Sequence, residues 1–244
     1  MSNWIIFVAG ACVAGFVQGL TGFAFALIAM SFWVWILPPQ LSAPLVVFAS
    51  LWCHIISLGK EKKHEYHFSI VVPYLVAGLI GVPLGTYLLN IVQADLFKII
   101  LGLFLIVWCP IMYFAPQINI LKKLTPKVDT AIGFCGGILG GLGGFCGALP
   151  SAWVMLKNLP KAQQRYILRH FNFAIQLFTI ITYAWNGTIN SSQFEYLLIL
   201  VFAVTIPTVF GAQMFYKISE KQFKHIVLSL LFASGCMLIS TLYF

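Results

Sequence analysis

Arg165, Arg169, Asn172, Gln176, Thr179 and Tyr183 follow one another at spacings of 4, 3, 4, 3 and 4 residues through an apolar run. That rhythm places all six on one face of a helix. Guanidinium, amide and hydroxyl groups in one stripe suit the binding of an anion. A shorter stripe, Ser50, His54 and Ser57, lies 122 residues earlier, in register with Asn172, Gln176 and Thr179. Polar and ionisable groups inside a membrane face the protein interior or a transport path. Arg165 reads as a charge at a helix end. Arg169 falls about 9 Å into its helix by rise, where it either snorkels back to the interface or meets a substrate. His54 reads as a hydrogen-bonded core histidine, with proton coupling as the alternative.

The second candidate group is glycine-rich. "GFVQGLTGFAFALI" (15–28) aligns with "GILGGLGGFCGALP" (137–150) at an offset of 122, half of the 244 residues. Gly19, Leu20, Gly22, Phe23, Ala26 and Leu27 match Gly141, Leu142, Gly144, Phe145, Ala148 and Leu149. Broken helices survive in hydrocarbon only where they line protein or a water-filled cavity. A helix starting in mid-membrane points backbone N–H groups and a positive dipole end into that cavity, which makes an anion site. Small residues four apart, such as Gly15–Gly19 and Gly137–Gly141, also serve plain helix packing. Their recurrence at both breaks favours the site. The candidate substrate-binding residues are therefore Gln18, Gly19, Thr21, Gly22, Phe23 and His54 in one half. Those of the other half are Gly140, Gly141, Gly143, Gly144, Phe145, Arg169, Asn172 and Gln176. Gln18 and Thr21 are replaced by Gly140 and Gly143, so the halves are not chemically equal.

The elements that carry these residues belong to an integral membrane protein. The chain is 61% hydrophobic and only 8% charged, against about a quarter charged in soluble domains. The formal charge of +8 sits in short loops, a topology signal and not a nucleic-acid footprint. The opening "MSNWIIFVAG" lacks the basic region and cleavage site of a secretory signal, so no removed leader is expected. Apolar runs at 4–18, 21–37, 41–59, 68–90, 95–114, 129–142, 145–157, 163–185, 194–216 and 222–243 give ten segments. The first, second, sixth and seventh are short of the ~20 residues that cross a bilayer. The loops at 60–67, around Lys122, Lys123 and Lys127, around Lys157, Lys161 and Arg165, and at 217–221 are basic. Loops 38–41, 91–94 and 186–193 have no Lys or Arg. Basic and neutral loops alternate, which puts the basic side in the cytoplasm and both termini outside. Lys98 is the one lysine out of pattern.

Five segments per half is an odd number, so the second half sits upside down relative to the first. Residues 1–121 form the first repeat, with a hairpin at 4–37 and three spans. Residues 122–244 form the second, with a hairpin at 129–157 and three spans. The expected fold is an all-α polytopic membrane protein of eight to ten segments, built as two inverted five-segment repeats. Each repeat opens with a short Gly-interrupted helical hairpin, the sequence signature of a secondary transporter. Re-entrant hairpins and fully crossing pairs are both compatible with this parity.

Other residues read as structural. Trp4, Trp33, Trp35 and Trp185 lie near the outer ends, and Trp108, Tyr113, Trp153 and Tyr216 near the inner ends, as two aromatic belts would. Pro83 and Pro207 read as kinks. The six cysteines show no zinc spacing and read as buried free thiols. No hydrolase or metalloprotease motif occurs. Glu61, Glu65, Asp95, Asp129, Glu195 and Glu220 all fall at loops or segment ends, which argues against an enzyme, a metal cofactor and a cation cargo.

The paired Gly-rich motifs, "GFVQGLTGFAFALI" and "GGILGGLGGFCGALP", resemble the signatures of the TauE/SafE family of sulfite exporters and sulfonate permeases. The resemblance extends over nearly the full length, including the duplicated halves and basic inner loops. It implies transport of a small sulfur-containing anion, of the sulfite or sulfonate class, across a bacterial inner membrane. A channel, or a carrier for another small anion such as a carboxylate, is the alternative. The sequence departs from the family pattern at Ile28, where a proline is common and where the second half has Pro150. It departs again at "RHFN" (169–172), which changes the charge of the pocket.

Overall fold

The computed structural model describes residues 2–33, 36–58, 66–89, 91, 95, 99, 102–103, 105–107, 109–110, 113, 125–157, 159–189 and 193–240. Among these residues there are helices and connecting turns but no strand. The helices with defined bounds are α1 (Ser2–Thr21), α2 (Phe25–Trp33), α3 (Pro39–Leu58), α4 (Val72–Leu89) and α5 (Thr125–Gly143). They continue with α6 (Ala148–Leu156), α7 (Lys161–Trp185), α8 (Phe194–Met214) and α9 (Glu220–Ser240). The described residues from 95 to 113 include helical positions such as Leu105 and Tyr113. Half of the expected span at 95–114 lies outside the described residues. So do Lys98, Lys122, Lys123, Trp35, Trp108 and the loop residues 60–65 with Glu61 and Glu65.

Five stretches among the described residues are long and apolar enough to cross a bilayer: Asn3–Thr21, Gln40–Ser57, Val72–Leu89, Phe194–Lys217 and Lys221–Ser240. The protein is therefore a multi-pass membrane protein. The first of these corrects the expected short segment at 4–18. α1 runs unbroken through Gly10, Gly15 and Gly19 for 20 residues, about 30 Å at 1.5 Å per residue. Glycine does not break a helix that a neighbour covers closely. α7 is the longest helix at 25 residues, yet its buried polar face keeps it out of the hydropathy class of a plain span. Each hairpin thus has a long first arm and a nine-residue return arm, which is only about 13 Å of helix.

The long arms are seated by glycine seams. α1 packs on α8, and α5 packs on α4. A methyl group added at Gly19 would lie 2.2 Å from the Thr208 carbonyl oxygen, and one at Gly211 would lie 2.0 Å from that of Phe16. In the other seam, a methyl at Gly141 would lie 2.5 Å from the Val82 carbonyl oxygen, and one at Gly137 would lie 2.0 Å from that of Gly78. Backbones approach so closely because no side chain stands between them. The opposite faces of α4 and α8 meet lipid. Val72, Val76, Ile80 and Leu84 are exposed, and so are Phe194, Leu198, Phe202 and Ile206, each 122 residues later. Large apolar side chains point outward and small ones inward, as a lipid solvent requires.

Each return arm is tied to its long arm by a tryptophan. The Trp33 indole donates to the Phe7 carbonyl oxygen at 3.0 Å. The Trp153 indole donates to Asp129 Oδ1 at 2.6 Å, and Asp129 stands 122 residues after Phe7. Tyr74 also donates to Asp129 Oδ1 at 2.6 Å, and Lys157 pairs with Oδ2 at 2.6 Å. Trp33 and Trp153 are buried, which removes them from the expected interfacial belts. Trp4, Trp185, Tyr113 and Tyr216 are exposed, as belt residues are. Pro83 and Pro207 lie inside α4 and α8. Cys53, Cys109 and Cys146 are buried free thiols, but Cys135 and Cys236 are exposed, contrary to the expectation for all six.

Candidate functional site

The two chain reversals use the same device. Gly22 has φ +85° and Gly144 has φ +81°, a left-handed conformation in which a Cβ is strained. The Gly22 N–H bonds the Gln18 carbonyl at 2.7 Å, and the Gly144 N–H bonds the Gly140 carbonyl at 2.8 Å. Both are αL-type helix stops, and in the second hairpin the Phe145 N–H also reaches the Leu139 carbonyl at 3.2 Å. In the first, the Thr21 hydroxyl donates to Val17 O at 2.8 Å and accepts from the Phe23 N–H at 3.4 Å. The breaks expected across Gln18 to Phe23 and Gly140 to Phe145 therefore fall at their C-terminal ends. Gln18, Gly19, Gly140 and Gly141 are still helical.

α7 runs past both tips and holds them. Arg165 donates to the carbonyl of Gly19, and Tyr183 donates to that of Gly141 at 2.7 Å. Carbonyls in the last turn of a helix have no partner of their own, and these two side chains supply one for each long arm. They are 18 residues apart on α7, about 27 Å by rise. The tips therefore overlap in depth and do not meet end to end. Between them sits Asn172, whose Nδ2 donates to the Gly22 carbonyl at 3.4 Å. A methyl group at Gly147 would lie 2.7 Å from Phe23 Cβ and 2.9 Å from Asn172 Nδ2. The two hairpins are thus in contact through Phe23 and Gly147.

The stripe on α7 is fully inside. Arg165, Arg169, Asn172, Gln176 and Thr179 are each at most 3% exposed. Arg169 does not snorkel; a methyl at Gly22 would lie 3.7 Å from its Cβ, beside the first tip. Arg165 is no end charge in water. Its guanidinium lies 4.1 Å from the centre of the Phe215 ring, a cation–π contact.

The side chains at the tips differ in how they are bonded. The Gln18 carbonyl oxygen accepts from the N–H of Phe25, the first residue of α2, at 2.9 Å. Its amide nitrogen donates to Ser50 Oγ at 3.0 Å and meets His54 Nε2 at 2.8 Å. With Oε1 committed to Phe25, the amide must donate to His54 Nε2, which makes that nitrogen the acceptor. Gln18 is a bracket joining α1, α2 and α3. In the other half position 140 is glycine, and α6 has no side-chain cap. A methyl at Gly140 would lie 2.7 Å from Ile175 and 3.1 Å from Cys146, and one at Gly143 would lie 3.0 Å from the Phe145 ring. Gln176 lies against the Cys146 thiol, yet neither of its amide atoms has a hydrogen bond of good geometry within the protein. The same is true of Asn172 Oδ1.

Of the residues singled out in the sequence, Gln18, Thr21, Gly22, Phe23, His54, Gly140, Gly143, Gly144, Phe145, Arg169, Asn172 and Gln176 gather around the tips and the α7 stripe. Gly19 and Gly141 present their Cα to α8 and α4, and only their carbonyls to α7. Cys146 and Gly147 were not expected to contribute. The signal for Gly147 was its alignment with Phe25, a bulky residue exchanged for none.

The model of the family described as Sulfite exporter TauE/SafE matches residues 6–238. Neither a curated protein nor a solved structure matches the chain. The match takes in both hairpins, both glycine seams and the whole α7 stripe. On that coverage, this chain belongs to the sulfite exporter TauE/SafE family of membrane transporters.

Proposed function

We propose that the protein is an alternating-access carrier for a small sulfur-containing anion of the sulfite or sulfonate class. It works in the bacterial inner membrane, with basic loops in the cytoplasm and both termini outside. Its halves are inverted repeats, 1–121 and 122–244. A shift of 122 residues converts the α1–α8 seam into the α5–α4 seam, which supports this exchange symmetry. In such carriers discontinuous helices at a repeat interface hold the substrate, and one repeat rocks against the other.

The observation that carries the reading is the pair of left-handed glycines, Gly22 and Gly144. They start two short helices in the buried interior, beside a stripe that holds Arg169, Asn172 and Gln176. The anion's charge is met by Arg169 and by a helix N-terminus, and its oxygens by backbone N–H groups and the two amides. Gly22, Phe23, Gly140, Gly143, Gly144 and Phe145 shape the walls. Gln18, Thr21 and His54 hold the first tip in place. Release to either side requires the Phe23–Gly147 contact to part.

Reconstituted into liposomes preloaded with sulfite, the protein should give saturable counterflow of labelled sulfite, inhibited by sulfonates. Absence of saturable flux for sulfite, thiosulfate and the sulfonates would overturn the reading. A unitary conductance in planar bilayers would identify a channel, and selective competition by carboxylates a different cargo.

A further inference from the structure

The two short helices begin in the same surroundings but are not equally finished. At α2 the first N–H is held by Gln18 Oε1, and the remaining valences of that amide are held by Ser50 and His54. At α6 the equivalent of Phe25 is Gly147, and the equivalent of Gln18 is Gly140, 122 residues on in each case. No side chain caps α6. Around its start lie three buried polar atoms with no hydrogen bond of good geometry in the protein: Asn172 Oδ1, Gln176 Oε1 and Gln176 Nε2, the Gln176 amide having only the Cys146 thiol beside it. Asn172 and Gln176 are both 0% exposed. Amide groups left unsatisfied at such depth are costly unless a ligand satisfies them.

We propose that the carrier has a single substrate seat per chain, at the N-terminus of α6. Asn172 and Gln176 there select an oxyanion that also bears a hydrogen-bond donor. Two of these three atoms are carbonyl acceptors, which a bare oxyanion cannot satisfy. A hydroxyl or amino group on the ligand can. The anionic head takes the helix N-terminus and the Gln176 N–H, and the donor takes the two carbonyl oxygens. α2 offers no second seat, because Gln18 already occupies its N-terminus. This inference rests on the transporter reading above and narrows its ligand.

The test is calorimetric titration of the full chain in lipid nanodiscs with isethionate and with ethanesulfonate, which differ by one hydroxyl, and with sulfite as a common reference. Isethionate should bind at one site per chain and at least about tenfold more tightly than ethanesulfonate, since a site built for a hydroxyl rejects the analogue lacking it. In Gln176→Leu that discrimination should fall below about threefold. Gly140→Gln, which supplies the amide present in the first hairpin, should abolish binding. Equal binding of the two sulfonates, two sites per chain, or sulfite binding with neither sulfonate bound would overturn the proposal and leave the transporter reading standing. Failure of sulfite, thiosulfate and both sulfonates to bind wild-type protein would overturn the transporter reading itself.

Discussion

The two hairpins are the same object built with different side chains. Each has a long arm sealed into a glycine seam, a left-handed glycine at the turn, and a nine-residue return arm tied back by a tryptophan. In the first hairpin, Gln18 and Thr21 spend their hydrogen bonds on the fold. In the second, Gly140 and Gly143 stand at those positions, and the polar atoms of Asn172 and Gln176 are left over. On the proposal above, one hairpin serves as scaffold and the other as binding surface. The backbone device was kept in both, and the side-chain cap in one.

The comparison can be broken first at what the hairpins share. Gly19→Val and Gly141→Val each drive a side chain into the backbone of a facing helix. Both should lose about 3 kcal/mol, measured by SDS-induced unfolding in mixed micelles. A large loss in only one would show that the seams are not equivalent.

Next comes what they do not share. Gln18→Leu removes the cap of α2 and strands the Phe25 N–H. It should cost about 2–3 kcal/mol of stability and leave the ligand Kd within about threefold in the folded fraction. Gln176→Leu should do the reverse. Leucine replaces an amide with no well-formed bond, so stability should stay within about 1 kcal/mol of wild type, while transport of the preferred ligand is lost. Equal stability losses in the two variants would erase the distinction between scaffold and site.

The smallest difference lies at the tryptophan ties. Trp153→Phe breaks a hydrogen bond to a carboxylate and should cost about 2 kcal/mol. Trp33→Phe breaks one to a neutral carbonyl and should cost about 1 kcal/mol. The same unfolding assay resolves the order, and a reversed order would indicate that Tyr74 and Lys157 alone keep Asp129 satisfied.

Much of this was legible in the residues. The 4, 3, 4, 3, 4 spacing placed Arg165 through Tyr183 on one buried face, and burial of that face bears the reading out. The 122-residue offset located both turns to within a few positions. The sequence did not show which glycines break and which pack. Gly19 and Gly22 look alike in the chain, but only Gly22 has a positive φ, and only Gly19 has a carbonyl of a facing helix where its side chain would be. Arg165 misled for a similar reason. Its place near a helix start suggested an interfacial charge, whereas the carbonyl of Gly19 and the ring of Phe215 are separated from it by tens to more than a hundred residues.

The sequence by itself determined the membrane class, the recurrence of the Gly-rich motif at an offset of 122, the polar faces of α3 and α7 and the composition of the two turns. Those depend on hydropathy, periodicity and identity, which are local to the chain. Only the tertiary structure decided which polar groups are spent. Whether an amide is a bracket or a binding group depends on whether a donor or acceptor reaches it from another helix. For Gln18 three partners do, and for Gln176 no well-placed one does.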